Sequence, residues 1–330
     1  MFMQSLKAAM AALLLVAVET MVAPAVAQTD RVWPDKPINL VVGFTPGGPS
    51  DVLARLVGKK MGDALGQTVV VVSRPGAGGN IAAAAVAKSA PDGYTWLFGN
   101  NSILSTNAAL YKTLPFDPDK DFDAVGLVAV QPSILVVNSN VPAKTLPELI
   151  TLIRAKPGEM NYASSGAGAA AHLVGQWFKT SAGLTLEHVP YKGAQPALTD
   201  LIAGQVQMMF ATSASALPYI NQGRLRALAV TGPKRMDELP QVPTMIEAGM
   251  PQFVAESWHG IVVPAGTPPA IIQRMNQVMV SALNSSDVRA QFRELGVDAA
   301  PGTPEAFASF IRSETPKWTR LVHDSGAFVE

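Results

Sequence analysis

Four histidines (His172, His188, His259 and His323) and the alternating aspartates Asp117, Asp119, Asp121 and Asp123 are the side chains best suited to acid–base or metal chemistry. The histidines lack the i, i+4 spacing that puts two on one helix face, so they predict no metal site. The aspartates match the odd positions of a calcium loop. Phe122, however, stands where that loop needs glycine and no glutamate closes it, which leaves a solvated acidic turn. Nucleophilic catalysis lacks a motif as well, because Ser164-Ser165-Gly166 is without the leading glycine of G-x-S-x-G. Gly166, Gly168 and Ala171 fit G-x-G-x-x-A with Glu187 downstream, a pattern that small residues equally make for close packing or a small-anion site. His172, on the helix after that loop, reads as a hydrogen-bonding residue rather than a base. No enzyme signature remains, and the chemistry left is that of the backbone.

Backbone chemistry is concentrated in residues 41–51, Val-Val-Gly-Phe-Thr-Pro-Gly-Gly-Pro-Ser-Asp. An apolar run over 38–42 predicts a strand, Gly47 and Gly48 a tight turn, and Val52, Leu53, Leu56 and Val57 a helix with Pro49 in its first turn. Such a loop presents N–H groups beside a positive helix end and suits a carboxylate or a phosphate. Asp51 would repel that anion unless it caps loop amides or meets the ligand through water.

Further elements must position this loop. Strands over 69–72 and 94–98 alternate with a helix over 80–88, which predicts parallel pairing, and the donor-rich Gly99-Asn100-Asn101-Ser102 then falls at the same strand ends as the first loop. Strands over 125–130 and 133–137, joined through Gln131-Pro132, lead to a helix over 147–156. The grammar then repeats. A strand over 161–163, a small-residue loop over 164–168 and a helix over 169–179 mirror the first site; a strand over 187–190 runs into Tyr191-Lys192-Gly193. A helix over 195–203, a strand over 206–210, a helix over 215–222 and a strand over 225–230 follow. A short helix around 245–248, a strand over 258–263 and helices over 268–283, 287–295 and 304–322 complete the chain, the last three covering the first sheet. Phe44 and Tyr191, on strand-to-helix loops, are the aromatic faces best placed to meet a ligand, and Trp177 and Trp258 are assigned to the core.

The 330 residues are 48% hydrophobic and carry 25 basic and 25 acidic side chains, enough for two cores and without the basic stretch that nucleic-acid binding needs. There is no cysteine, which excludes disulfides, thiolate nucleophiles and cysteine-ligated zinc. Lys7, the apolar residues 8–18 and Ala25-Val26-Ala27 predict a signal peptide over residues 1–27, cut before Gln28. That apolar run is too short to span a bilayer, and no later one is long enough. A soluble, exported monomer is expected, periplasmic where an outer membrane exists.

Taken in order, several stretches resemble the Bug family of extracytoplasmic solute receptors. They are Trp33-Pro34-Asp35-Lys36-Pro37, Phe44-Thr45-Pro46-Gly47-Gly48-Pro49-Ser50-Asp51, Arg74-Pro75-Gly76-Ala77-Gly78-Gly79-Asn80, Pro91-Asp92-Gly93-Tyr94-Thr95, Val189-Pro190-Tyr191-Lys192-Gly193, Leu225-Arg226-Ala227-Leu228-Ala229-Val230, Val242-Pro243-Thr244, Glu247-Ala248-Gly249 and Pro264-Ala265-Gly266-Thr267-Pro268. The resemblance implies a two-lobed α/β periplasmic binding protein, a type II-like Venus flytrap with two crossing strands. Lobe 1 would hold residues 28–128 and 229–330, and lobe 2 residues 129–228. It implies no cofactor, and a small organic carboxylate handed to the large and small membrane subunits of a tripartite tricarboxylate transporter. Carried over, the site comprises Phe44, Pro46, Gly47, Gly48 and Asp51 with Asn100 and Ser102 on one wall. Ser164, Ser165, Gly166 and Gly168, with His172 and Tyr191, form the other.

Two departures bear on the ligand. Ala169 stands where the family commonly has a hydroxyl residue, and Ala211 where it commonly has an aspartate. Both predict a less polar second wall and a ligand with an apolar or aromatic portion stacked on Phe44. The alternative function is an exported hydrolase or lyase acting on a small acid in the same cleft, and a third is a ligand-sensing partner of a membrane kinase.

Overall fold

Five residues buried at all but one position make β1 (Ile38–Val42), which pairs in parallel with β2 (Val69–Ser73) and β3 (Thr95–Asn100). The computed structural model describes residues 33–329; the signal peptide expected over 1–27 and its cleavage point lie outside them. Residues from Lys36 onward form one compact unit. The crossovers are α1 (Pro49–Leu65) and α2 (Asn80–Ala87). After β3 the chain makes a π-helical turn (Ser102–Thr106) and a short α3 (Asn107–Leu110).

The next strand departs from expectation. In place of two strands joined through Gln131-Pro132, a single 17-residue β4 (Phe122–Asn138) runs straight through the proline. Proline removes one donor, and here it sits where the strand changes partners. Up to Pro132, β4 pairs antiparallel with β9 (Glu256–Pro264); from Ser133 it pairs antiparallel with β7 (Met208–Thr212) and from Ile134 with β8 (Leu225–Val230). Beyond β7 lie β5 (Asn161–Ser164) and β6 (Glu187–Pro190), both parallel to it. The sheet order is β2-β1-β3-β9-β4-β7-β5-β6, with β8 and a two-residue β10 (Asp298–Ala299) also on β4. The strand expected over 206–210 is displaced to Met208–Thr212. Residues 245–248 form a single turn, because Gly249 adopts a φ of +98° and ends it.

Helices flank the sheet: α4 (Leu146–Ala155), α5 (Ala170–Ser181), α6 (Ala194–Ala203) and α7 (Ser213–Asn221). Along β4, Leu135 and Val137 join one core cluster with Tyr162 and Phe178, while Ile134 and Val136 join another with Ala197 and Leu201. Burial on both faces explains why this segment reads as an unbroken apolar run rather than an alternating one.

Three helices close the chain: α8 (Pro269–Asn284), α9 (Ser286–Glu294) and α10 (Pro304–Ser325). The last does more than cover the first sheet. Its Phe307 packs in the cluster of Val41, Leu97 and Trp258, whereas Trp318, Leu321 and Val322 pack with Tyr162, Leu173 and Phe178. One helix thereby joins the cores on either side of β4.

The register decides where loops meet. Strands β1 to β3 and β5 to β7 run in opposite directions across the sheet, so their C-terminal ends would diverge if β4 were short. Instead β3 ends at Asn100, level with His259 and hence with Ala129 of β4, and β7 ends at Thr212, level with Ser133. Four residues of strand, about 13 Å at roughly 3.3 Å per residue, separate the two levels. Both sets of strand ends therefore open toward Gln131 and Pro132.

Candidate functional site

The loop after β1 turns at Gly47, whose φ of +79° favours glycine, and enters α1 with Gly48 as N-cap and Pro49 in the first turn. Its shape is held by Asp51. The Gly47 N–H donates to Asp51 Oδ2 at 2.9 Å, Arg55 donates through Nε and Nη2 at 2.8 and 3.0 Å, and the Ser73 hydroxyl donates at 3.3 Å. The Arg55 hydrogen bonds, with the Gly47 amide and Ser73 assisting, hold the carboxyl below the usual aspartate range despite its burial. Asp51 is thus the amide-capping residue, with its charge answered by Arg55. Ser50 is buried with its hydroxyl 3.0 Å from His259 Nε2, and His259 stacks on Phe98 and is pushed down to about 4 by burial. The N–H groups of Ser50 and Asp51 lie in the first helical turn, where no carbonyl precedes them to accept.

Neighbouring loops pack on this one through glycines. A Cβ on Gly43 would lie 2.7 Å from Gly79 Cα, and one on Gly79 would lie 2.6 Å from Ile103 and 3.6 Å from Phe44. Phe44 is half-buried there, beside exposed Thr45 and Pro46. Asn100 turns its side-chain oxygen inward to the Ile103 N–H at 3.1 Å, and Ser102 is half-buried beside it. Asn107, which the sequence reading passed over, donates to Gly78 O and Asn80 Oδ1 and ties the loops together.

The loop after β5 repeats the device with other atoms. Ser164 is fully buried; its hydroxyl donates to Gly166 O, accepts from Gly166 N–H and lies 2.7 Å from His188 Nε2. The Gly168 N–H donates to His172 Nδ1 at 3.0 Å, which assigns the neutral imidazole proton to Nε2. His172 stacks on His188 with ring centroids 3.9 Å apart, and Tyr162 stacks on His188 at 5.0 Å. Burial lowers His172, while burial, then His172 and Lys179, push His188 down to about 4. Tyr191 N–H donates to Ser164 O and Gly193 N–H to Ser165 O. The Tyr191 hydroxyl donates to Asp200 at 2.8 Å, and burial with that carboxylate pushes it up to about 12.

All four glycine amides expected to face a ligand, those of Gly47, Gly48, Gly166 and Gly168, are therefore bonded within their own loops. The donors left over are the helix N-termini, at Ser50 and Asp51 of α1 and at Ala170 and Ala171 of α5, where Ala169 is an N-cap without a side-chain hydrogen bond. Ala211 does not line a wall; it is fully buried with Ile134 and Ala216. The two loop systems meet where a Cβ on Gly168 would fall 2.8 Å from Leu110 of α3. Gln131 and Ser213 escaped the sequence reading. The Gln131 amide donates to the Ser213 hydroxyl at 2.8 Å, which donates to Gly296 O at 2.6 Å, bridging β4, α7 and the segment before β10. A glutamine inside an apolar strand was the available signal. Among the described residues no group of histidines and carboxylates is arranged to hold a metal, and the aspartates of 117–123 bind loop amides and Lys120.

Comparison with known proteins agrees with this geometry. The profile of the tripartite tricarboxylate transporter family receptor, TctC, matches residues 53–327. The chain is 38% identical to BugT of Bordetella pertussis over 296 residues, 89% of this chain and 91% of that protein. It is similar to R. palustris Rpa4515 with adipate, with a TM-score of 0.80 and 36% identity over 90% of this chain and 100% of that one. MatC (Rpa3494) from Rhodopseudomonas palustris with bound malate gives a TM-score of 0.76 and 32% identity over 88% and 100%. Matched over most of its length, in sequence and in a two-lobed α/β frame, the chain belongs to the TctC receptor family of tripartite tricarboxylate transporters, the Bug-type periplasmic solute-binding proteins, and not to a family of enzymes.

Proposed function

We propose that this protein captures a small organic carboxylate between two lobes and delivers it to the membrane subunits of a tripartite tricarboxylate transporter. Lobe 1 is residues 28–128 with 229–330 and lobe 2 is residues 129–228, β4 carrying the chain across between them. The observation that supports the reading is the register of β4, which brings the ends of β1, β3, β5 and β7 toward one level and with them the N-termini of α1 and α5. A positive helix end favours an anion by about 0.3–1 kcal/mol, more when partly buried, and unpaired N–H groups supply the hydrogen bonds. Gly47, Gly48 and Asp51 shape one wall, with Phe44, Pro46, Asn100 and Ser102 beside them. Ser164, Ser165, Gly166, Gly168, His172 and Tyr191 shape the other. Ligand stabilises the closed form because each lobe holds half of the donors. Adipate and malate, the acids in two related structures, support a small organic carboxylate as the ligand.

The reading is tested by thermal melts of the exported chain, starting at Gln28, against a panel of carboxylates. A ligand at a hundred times its dissociation constant adds about 2.7 kcal/mol to stability. Unchanged melting across mono-, di- and tricarboxylates would overturn it.

A further inference from the structure

Beside the first loop lies a cavity of about 170 Å³. Its walls are Pro49, Val52 and Leu53 of α1, Ala214 of α7, and Leu295 and Val297 of the segment before β10; Gly47 and Gln131 complete it. No charged side chain lines it. Its one polar side chain, Gln131, has its amide nitrogen committed to Ser213. Its volume is close to that of an apolar cavity of about 150 Å³ that accepts benzene, so a single six-membered ring fits it, with Gly47, Pro49 and Val52 leaving it open to solvent on one side. Val52 remains 38% exposed although it is a large hydrophobic residue in the first turns of a packed helix, as a wall awaiting an apolar occupant would be.

Placement links the cavity to the anion site. Pro49 lines it and directly precedes Ser50 and Asp51, whose amides are the unbonded donors of α1, and Gly47 lines it two residues earlier. A carboxylate on that helix end can carry its apolar group into the cavity without a long linker. Because Ala214 belongs to the opposite side of β4 from α1, the same group touches both halves of the sheet. Phe44 is not among the lining residues; it packs toward Gly79 instead.

We infer that this cavity is a specificity subsite, and that the ligand is a carboxylate bearing one ring-sized apolar group, of the benzoate or cyclohexanecarboxylate type. The inference rests on the proposed carboxylate-receptor function. A second carboxylate has no partner in the cavity and loses its hydration there, so compact polar acids are disfavoured relative to ring acids.

Titration calorimetry on the mature chain with benzoate, cyclohexanecarboxylate, malate and citrate tests it. The ring acids are expected to bind at least about tenfold more tightly than malate or citrate, the scale on which apolar pockets discriminate. Ala214→Leu, which fills the cavity, is expected to weaken the ring acids at least about tenfold more than malate. Val52→Ser, at a partly exposed position that folding tolerates, makes one wall polar and is expected to weaken the ring acids selectively by several-fold. Malate or citrate binding as tightly as the ring acids, or Val52→Ser weakening every acid equally, would overturn the subsite while leaving the receptor function intact. Binding of none of the acids would overturn the receptor reading itself.

Discussion

In the loop after β1 the Gly47 N–H is held by Asp51, four residues on; in the loop after β5 the Gly168 N–H is held by His172, again four residues on. The spacing is the same because each acceptor sits in the first turn of the following helix and reaches back over one turn. The acceptors differ in charge. Asp51 is an anion anchored by Arg55 and Ser73, while His172 is a neutral ring stacked on a second neutral ring, His188. A turn can thus be fixed beside an anion site with a charge, if a cation answers it, or with an uncharged acceptor that needs no counter-ion. Acid should separate the two loops.

Asp51→Ala carries the largest expected effect. It removes the acceptor of the Gly47 N–H and of Ser73 and leaves Arg55 unpaired, which should cost about 2–3 kcal/mol in urea unfolding and abolish carboxylate-induced stabilisation. A loss below about 0.5 kcal/mol would mean that the first loop is fixed by something other than this residue.

Gly47→Asp comes next. A Cβ there meets nothing within 4 Å, so the cost is the left-handed backbone, about 1–2 kcal/mol, together with a new negative charge beside the helix end. Thermal melts should show no ligand shift. Gly47→Asn, which meets the same backbone requirement as Asp but adds no charge, should keep most of it.

The corresponding change in the second loop is smaller. His172→Ala orphans the Gly168 N–H at about 1–2 kcal/mol, whereas His172→Asn can return an amide oxygen to it and should recover at least half of that loss. Equal melting temperatures for the two variants would show that the Gly168 hydrogen bond contributes nothing.

The smallest effect is the pH dependence that distinguishes the acceptors. His172 and His188, and His259 behind the first loop, are lowered in the folded protein, so between pH 6.5 and about 4 the unfolded chain binds more protons and stability falls as pH falls. The stabilisation from Asp51, lowered from 3.8, is present above that pH and is lost only as pH falls below it. His188→Gln should reduce, without abolishing, the fall in melting temperature over pH 4–6.5, because His172 and His259 remain lowered there. An unchanged slope would place the titration outside the second loop.

Much of the fold was legible from local pattern. The strands Ile38–Val42, Glu187–Pro190 and Leu225–Val230 fall where alternation or apolar runs place them, and two of the three closing helices start at prolines the sequence displays, Pro269 and Pro304. Pro132 misled because a missing donor usually ends a strand, yet β4 exchanges one partner for another at that residue and stays extended. At the candidate site the glycine loops were visible as residue types, but the direction of their amides was not. Ser50 meets His259 across 209 residues and Gln131 meets Ser213 across 82, and neither pairing alters the residues around it in the chain.

By itself the sequence determined the α/β alternation, the absence of cysteine chemistry and the resemblance to a receptor family, since each depends on residue types and neighbours along the chain. Tertiary structure alone decided which glycine amides are bonded within their loops, that His172 lies against His188, and that α1, α7 and the segment before β10 enclose an apolar cavity beside Gly47. These follow from register and packing between distant segments, where contact energies are set by shape and distance rather than by any periodicity that a local stretch of residues carries.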